Sequence, residues 1–364
     1  MHKQKSSEIL PCWAWILLGG AALALVVLIV YNLSTGVADW YTASVGAFFR
    51  AALAHMTSWI PFSLAEILLY LSPALVVLIA VYGCRRFCAT WRTTLVFLGS
   101  VLSVLSLLFS LFALSFGVGY QTSPLDTRLS LSSVSVSAES LRAAADVLVL
   151  ELNELCDDVT YGEDGFSEMP FDLAGMNDAL LAAYEPVCER YPFVQRMQSH
   201  LKPVLASRAM SYTHITGVYT YFTGEANVNV HFPDYSLCYT AAHELAHQRG
   251  IARENEANFI AFLVCSGAEN AYVRYCGYLN MLEYVMNALY HADEVGYFAV
   301  VDALDPRIVG ELRAFDEFFD SYRNSFISGV SDAVNDTYLK LNGNEAGSES
   351  YGLVIELAVA YLIG

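Results

Sequence analysis

Three stretches near the start of the chain are apolar at almost every position rather than along one face: residues 13–33, 67–82 and 95–118. A membrane-crossing helix takes roughly 20 such residues, so each is expected to span a bilayer. The first is too long for the apolar core of a signal peptide, and two more spans follow it. From Ala138 the pattern changes. Over 138–157 it has helical spacing, with Leu141, Val147, Leu148 and Leu152 on one side, and 173–190 reads as a second helix. The period changes again in "ITGVYTYFTGEANVNVHF" (215–232), where alternating β-branched and aromatic residues predict short strands. Pro233 and Asp234 make a turn, with Ser236 as an expected helix cap. Helices are then expected over about 237–249, 254–267, 269–292 and 306–340.

The connecting segments read as follows. Residues 34–65, with Trp40, Tyr41, Phe48, Phe49 and Trp59, are expected to lie along the membrane surface or to form a solvated loop. Gln121–Ser135 is a Ser/Thr-rich tether without useful periodicity, and "KLNGNEAGSES" is a loop. The stretch "YGLVIELAVAYLIG" is too short to span and carries Glu356, so it is expected to be buried in the outer part. The pattern predicts a membrane-anchored α+β protein: three transmembrane helices within 1–119, then a mostly helical domain with a small β-sheet over 120–364.

Charge divides the chain at the same place. The formal net charge is -18, although 55% of residues are hydrophobic. Residues 1–119 hold six basic and three acidic groups, leaving 13 basic and 34 acidic groups beyond, so the two parts carry +3 and −21. An acidic balance argues against nucleic acid as a partner, because phosphate binding needs a basic face. Lys3 and Lys5 precede the first span, and Arg85, Arg86 and Arg92 lie between the second and third. Short-loop positive charge marks the cytoplasmic side, so the N-terminus is expected inside and everything after Gly119 outside. Five cysteines fall in the outer part (Cys156, Cys188, Cys238, Cys265 and Cys276) with no metal-type spacing. An outside location permits disulfides, and pairing is open; Cys265, on an apolar run, reads as a buried free thiol.

The chemistry lies in "HELAHQRGIARENEANF" (243–259). On a helix His243 and His247 project from one face, close enough to share an ion. Zinc accepts imidazole nitrogen, and a catalytic site needs three protein ligands with one position open for water. Glu244, one residue on, would lie beside the metal as a general base. Two carboxylates compete for the third ligand position, Glu254 and Glu256. Gly250 lets the chain turn back tightly, and Asn258, four residues after Glu254, could hydrogen-bond a ligand histidine. That favours Glu254 and leaves Glu256 as an acid at a helix start. Arg249 and Arg253 read as salt-bridging surface residues.

These residues resemble the zincin metallopeptidases, in the branch whose third ligand is glutamate (gluzincins). There the ligand Glu stands in a pattern like E-x-x-A-[DN], which Glu254–Asn258 matches. The resemblance implies a zincin-like domain in which His243, His247 and Glu254 carry Zn2+ and Glu244 is catalytic. One departure concerns the spacing. Many gluzincins have a longer insert than the six residues between His247 and Glu254, and the third histidine of metzincins would fall at Arg253. The chain also resembles a family of uncharacterised bacterial membrane proteins with such a domain behind three spans. The matching pieces are "IPFSLAE" (60–66), "FTGEANVN" (222–229), the 243–259 motif, "YLKLNG" (338–343) and "SYG" (350–352).

The resemblance implies a membrane-bound zinc metallopeptidase acting on a peptide or protein outside the cytoplasmic membrane. Gly224–Val230 is the strand expected to pair with substrate, and Tyr351, His231 and Tyr239 are the possible oxyanion donors. Because His243 is far along the chain from any span, cleavage inside the membrane is not expected. The competing reading is a non-catalytic zinc-site sensor or binding protein of the envelope. A third is a structural membrane protein in which the motif is fortuitous.

Overall fold

The computed structural model describes residues 9–87, 90–132, 134–323 and 351–364. Among them, three helices are long and apolar enough to cross a membrane: α1 (Cys12–Tyr31), α4 (Leu64–Arg86) and α5 (Trp91–Ser115). The second and third start earlier than the apolar runs suggest, because caps outside those runs begin them. Ser63 accepts from the Glu66 amide, and Thr90 forms a capping box with Thr93. Between α1 and α4 the chain is helical rather than a loop. α2 (Thr35–Tyr41) runs through a π-helical turn (Thr42–Gly46) into α3 (Ala47–Thr57).

After α5 comes a 3-10 turn (Gly117–Gln121) and α6 (Leu125–Leu129). This stretch is not a tether. Leu125 and Leu129 are buried, and Arg128 and the Leu125 amide both bind the Glu256 carboxylate. The chain then runs through α7 (Ala138–Leu155), α8 (Leu173–Arg190), β1 (Leu201–Pro203), α9 (Ser207–Ser211), β2 (Gly217–Thr220), β3 (Glu225–Val228) and α10 (Asp234–Gln248). α11 (Glu254–Ser266), α12 (Ala271–Ala292), α13 (Glu294–Val301), α14 (Pro306–Asp320) and α15 (Tyr351–Ile363) follow. α10 begins at Asp234, so Ser236 lies inside its first turn and does not cap it. Within the helix expected to reach 340, residues after 323 lie outside the described residues, as does the "KLNGNEAGSES" loop.

One apolar core joins α7, α8, α10, α11, α12 and α15. Val354, Ile355, Ala358 and Val359 of α15 enter it while Glu356 stays exposed, as its length and single charge predict. All seven described cysteines are unpaired thiols, and the five beyond residue 120 are buried. The sheet has the order β1-β3-β2, β1 parallel to β3 and β2 antiparallel to it. β3 is thus central, paired on both sides. That corrects the expectation that 224–230 offers a free edge; the edge strand on the side of the helical core's α10 is β2.

The N-terminal helices and the rest of the chain are fastened together by buried polar groups. The amides of Leu64 and Ala65, at the start of α4, donate to Glu225 of β3 at 3.1 and 3.0 Å. Glu66 returns the arrangement by accepting the amides of Leu205 and Ala206 at 2.7 and 2.9 Å. Lys202 of β1 donates to the carbonyls of Thr57 and Ile60, and burial lowers its pKa. Arg85, Arg86 and Arg92 lie at the opposite end of the apolar helices, away from these contacts.

Candidate metal centre

α10 is buried on nearly every side, which fixes it in the core and leaves little freedom to its polar groups. His243 and His247 project together, their ring centroids 4.6 Å apart. Arg249 caps the helix, and Gly250 turns the chain at φ +101, a conformation that side-chain-bearing residues rarely adopt. The Ile251 amide then bonds back to the Ala246 carbonyl at 3.1 Å. This sharp turn starts α11 directly over the histidines, so that its first residue, Glu254, reaches them.

One carboxylate oxygen of Glu254 lies 3.2 Å from His243 Nε2 and 3.4 Å from His247 Nε2. Charge-assisted N–H···O bonds are typically shorter, about 2.7–2.9 Å. Ligand atoms held tetrahedrally at about 2.0–2.2 Å from one zinc ion stand about 3.3–3.5 Å apart. The separations fit that donor set. The ring orientation fits as well: His247 Nδ1 donates to the Ile251 carbonyl at 2.7 Å, so Nε2 is the nitrogen turned toward Glu254 and would be the one to face an ion. His243 Nδ1 is buried without a hydrogen-bond partner. The Glu254 side chain is one-third exposed, so the cluster opens to solvent on that side.

Burial alone would raise the Glu254 carboxyl, but the adjoining imidazoles hold it below the usual carboxylate range. Burial likewise acts to lower His247, and Glu254 overrides it and raises the imidazole. Glu244 is buried beside the two histidines, and burial pushes its pKa up to about 6 against their opposing influence and a bond from the Tyr219 amide. Its other oxygen is buried with no hydrogen-bond partner. A Cβ at Gly217 would come within 2.7 Å of the Glu244 carboxylate, so β2 and the Glu244 side chain are in direct contact.

Glu256 is elsewhere. It is buried, and its carboxylate is bonded by Arg128, Arg253 and the Leu125 amide. Asn258 does not orient a histidine; its carbonyl accepts from the Tyr239 hydroxyl at 2.7 Å. Tyr239 is committed by that bond. The His231 ring packs against Phe318 and Tyr322 with Ser211 at its Nδ1. The Tyr351 side chain lies outside the described residues. Arg249 is no surface residue. It is fully buried over the Tyr184 ring and donates to the Leu245 and Met197 carbonyls. Arg253 is half-buried and holds the carbonyls of Tyr120 and Thr122 as well as Glu256.

The N-terminal helices supply neighbours that lie beyond any local pattern. Phe116, at the end of α5, meets His247 edge-on with centroids 5.8 Å apart and also packs on Tyr219. The expectation that the site lies far from any span therefore holds along the chain and fails in space. Arg50 of α3 is buried with its guanidinium against Gly250, and it donates to the carbonyls of Ser115 and Thr42. A histidine–glutamate cluster that lies in one stretch of sequence is thus shaped by residues of the N-terminal helices.

Residues 41–359 match the model of a family described as "Protein of unknown function (DUF3810)", and the chain belongs to that family. No curated protein and no solved structure matches it.

Proposed function

We propose that this family member is a membrane-bound zinc metallopeptidase with a zincin-like site, facing outward from the cytoplasmic membrane. The observation that carries the reading is the convergence of His243 Nε2 and His247 Nε2 on one oxygen of Glu254, 3.2 and 3.4 Å away, beside the buried carboxylate of Glu244. His243, His247 and Glu254 would hold the ion. Zinc, when bound, supplies a Lewis acid for the scissile carbonyl and acidifies a water. Glu244 takes a proton from the attacking water as its oxygen bonds to the carbonyl carbon. It then delivers that proton to the amide nitrogen as the C–N bond breaks, giving a carboxylate and an amine. No covalent link to the enzyme forms. The outward orientation rests on the positive charge of Arg85, Arg86 and Arg92 at the opposite end of the spans.

The test uses the full chain in lipid nanodiscs. Metal analysis should give about one zinc per chain, lost in His243→Ala and in Glu254→Ala. Glu244→Gln should keep zinc and lose hydrolysis of a mixed peptide library by about 10²–10⁴-fold. A folded protein without zinc, or a zinc-loaded one as active after Glu244→Gln, would overturn the proposal.

A further inference from the structure

Given that peptidase reading, we infer that the substrate is a polypeptide anchored in the same membrane, cut a few residues outside its anchor. The placement of α3 is the first reason. One face of this helix, Arg50, Ala54 and Thr57, is buried against the Gly250 turn and the sheet. The other presents Phe48 and Met56, each 68% exposed, with Trp59 at 79% just beyond. Beside three membrane spans, such an aromatic and apolar face belongs at the lipid interface. Only α3 then separates the metal-binding turn from lipid, a thickness of about 10–12 Å.

The edge of the sheet leads to the same place. β2 is an edge strand, and its Tyr219 amide and Gly217 border Glu244. Tyr219 rests on Phe116, and Tyr221, just past the strand, packs on Phe112 of α5 at 5.2 Å. A peptide added along β2 therefore passes directly over the end of a membrane span. Extended chain covers about 3.3–3.6 Å per residue, so three or four residues bridge α3's thickness. The scissile bond is set within about five residues of the substrate's own anchor. A soluble protein would have to bring an extended segment flat onto the lipid surface to reach Glu244.

The experiment reconstitutes the zinc-loaded full chain in vesicles with a synthetic membrane-spanning helix. That helix carries an outward 25-residue segment of randomised sequence, and the same segment is also supplied free in solution. Sharing a membrane raises the rate by itself, so the decisive readout is the cut position, sequenced by mass spectrometry. Cuts should cluster within about five residues of the anchor. Cuts spread along the segment, or equal kcat/KM for the free form, would overturn the inference and leave the peptidase reading standing. No cleavage of either probe would remove both. A readout independent of turnover uses Glu244→Gln and a benzophenone placed at each segment position in turn. Crosslinks to residues 217–222 should come from positions near the anchor, and equal crosslinking from distal positions would overturn the inference.

Discussion

Two glutamates two residues apart have opposite fates, and their difference is testable. Glu254 faces the histidines, whereas Glu256 closes a buried network with Arg128, Arg253 and the Leu125 amide. Removing one partner from a buried charge network costs about 3–5 kcal/mol. Glu256→Gln should therefore lower the thermal midpoint sharply while the folded protein keeps its zinc, and Glu254→Gln should release zinc. Calorimetry beside metal analysis separates the two. A pH dependence comes from a third acid, Glu283, which lines a cleft between α12 and α14 with Asp316. Burial, with Asp316 and Glu311 nearby, pushes its pKa up to about 7 although the Tyr235 hydroxyl donates to it. The folded state then holds a proton that the unfolded chain gives up at about 4.3. This acid's contribution to stability is full below that value, falls as pH rises to about 7, and is level above. Glu283→Gln should flatten that decline in a series of melting curves.

At the scale of elements, local pattern was a good guide wherever the period alone decided. The three long apolar helices, the helices at 138–155, 173–190 and 254–266, and strands inside 215–232 were all legible. So was the pairing of His243 with His247, which needs only one turn of helix. Less legible was anything set by a partner distant in sequence. β1 is three residues, Leu201–Pro203, with no alternation to announce it, yet it makes β3 central and leaves β2 at the edge. Phe116 and Arg50 reach the site only because the sheet and α10 are docked on the N-terminal helices. The close fit of β2 to α10 gives a further prediction. In Gly217→Ala the new methyl would displace Glu244 while leaving both histidines in place. Displacement of about 1 Å at a reacting group can cost about 10²-fold. Zinc content should be unchanged and kcat should fall, measured on the same preparation.

For the whole molecule, the change of composition near 120 is bridged by buried polar contacts. Glu225 on the start of α4, Glu66 on the Leu205 and Ala206 amides, and Lys202 on the Thr57 and Ile60 carbonyls bind the two parts from both sides. Two of the stretches that carried the resemblance, 60–66 and 222–229, meet in this joint. Glu225→Ala removes a cap, which usually costs about 0.5–2 kcal/mol. Amide exchange at Leu64 and Ala65 should speed up, while zinc remains bound. The burial of Arg50 beneath Gly250 has a consequence for how the protein is made. Synthesis proceeds from the N-terminus, so the helices that carry Arg50, Glu66 and Phe116 have left the ribosome before His243 has. Those helices are the mould on which the histidine–glutamate cluster is later cast.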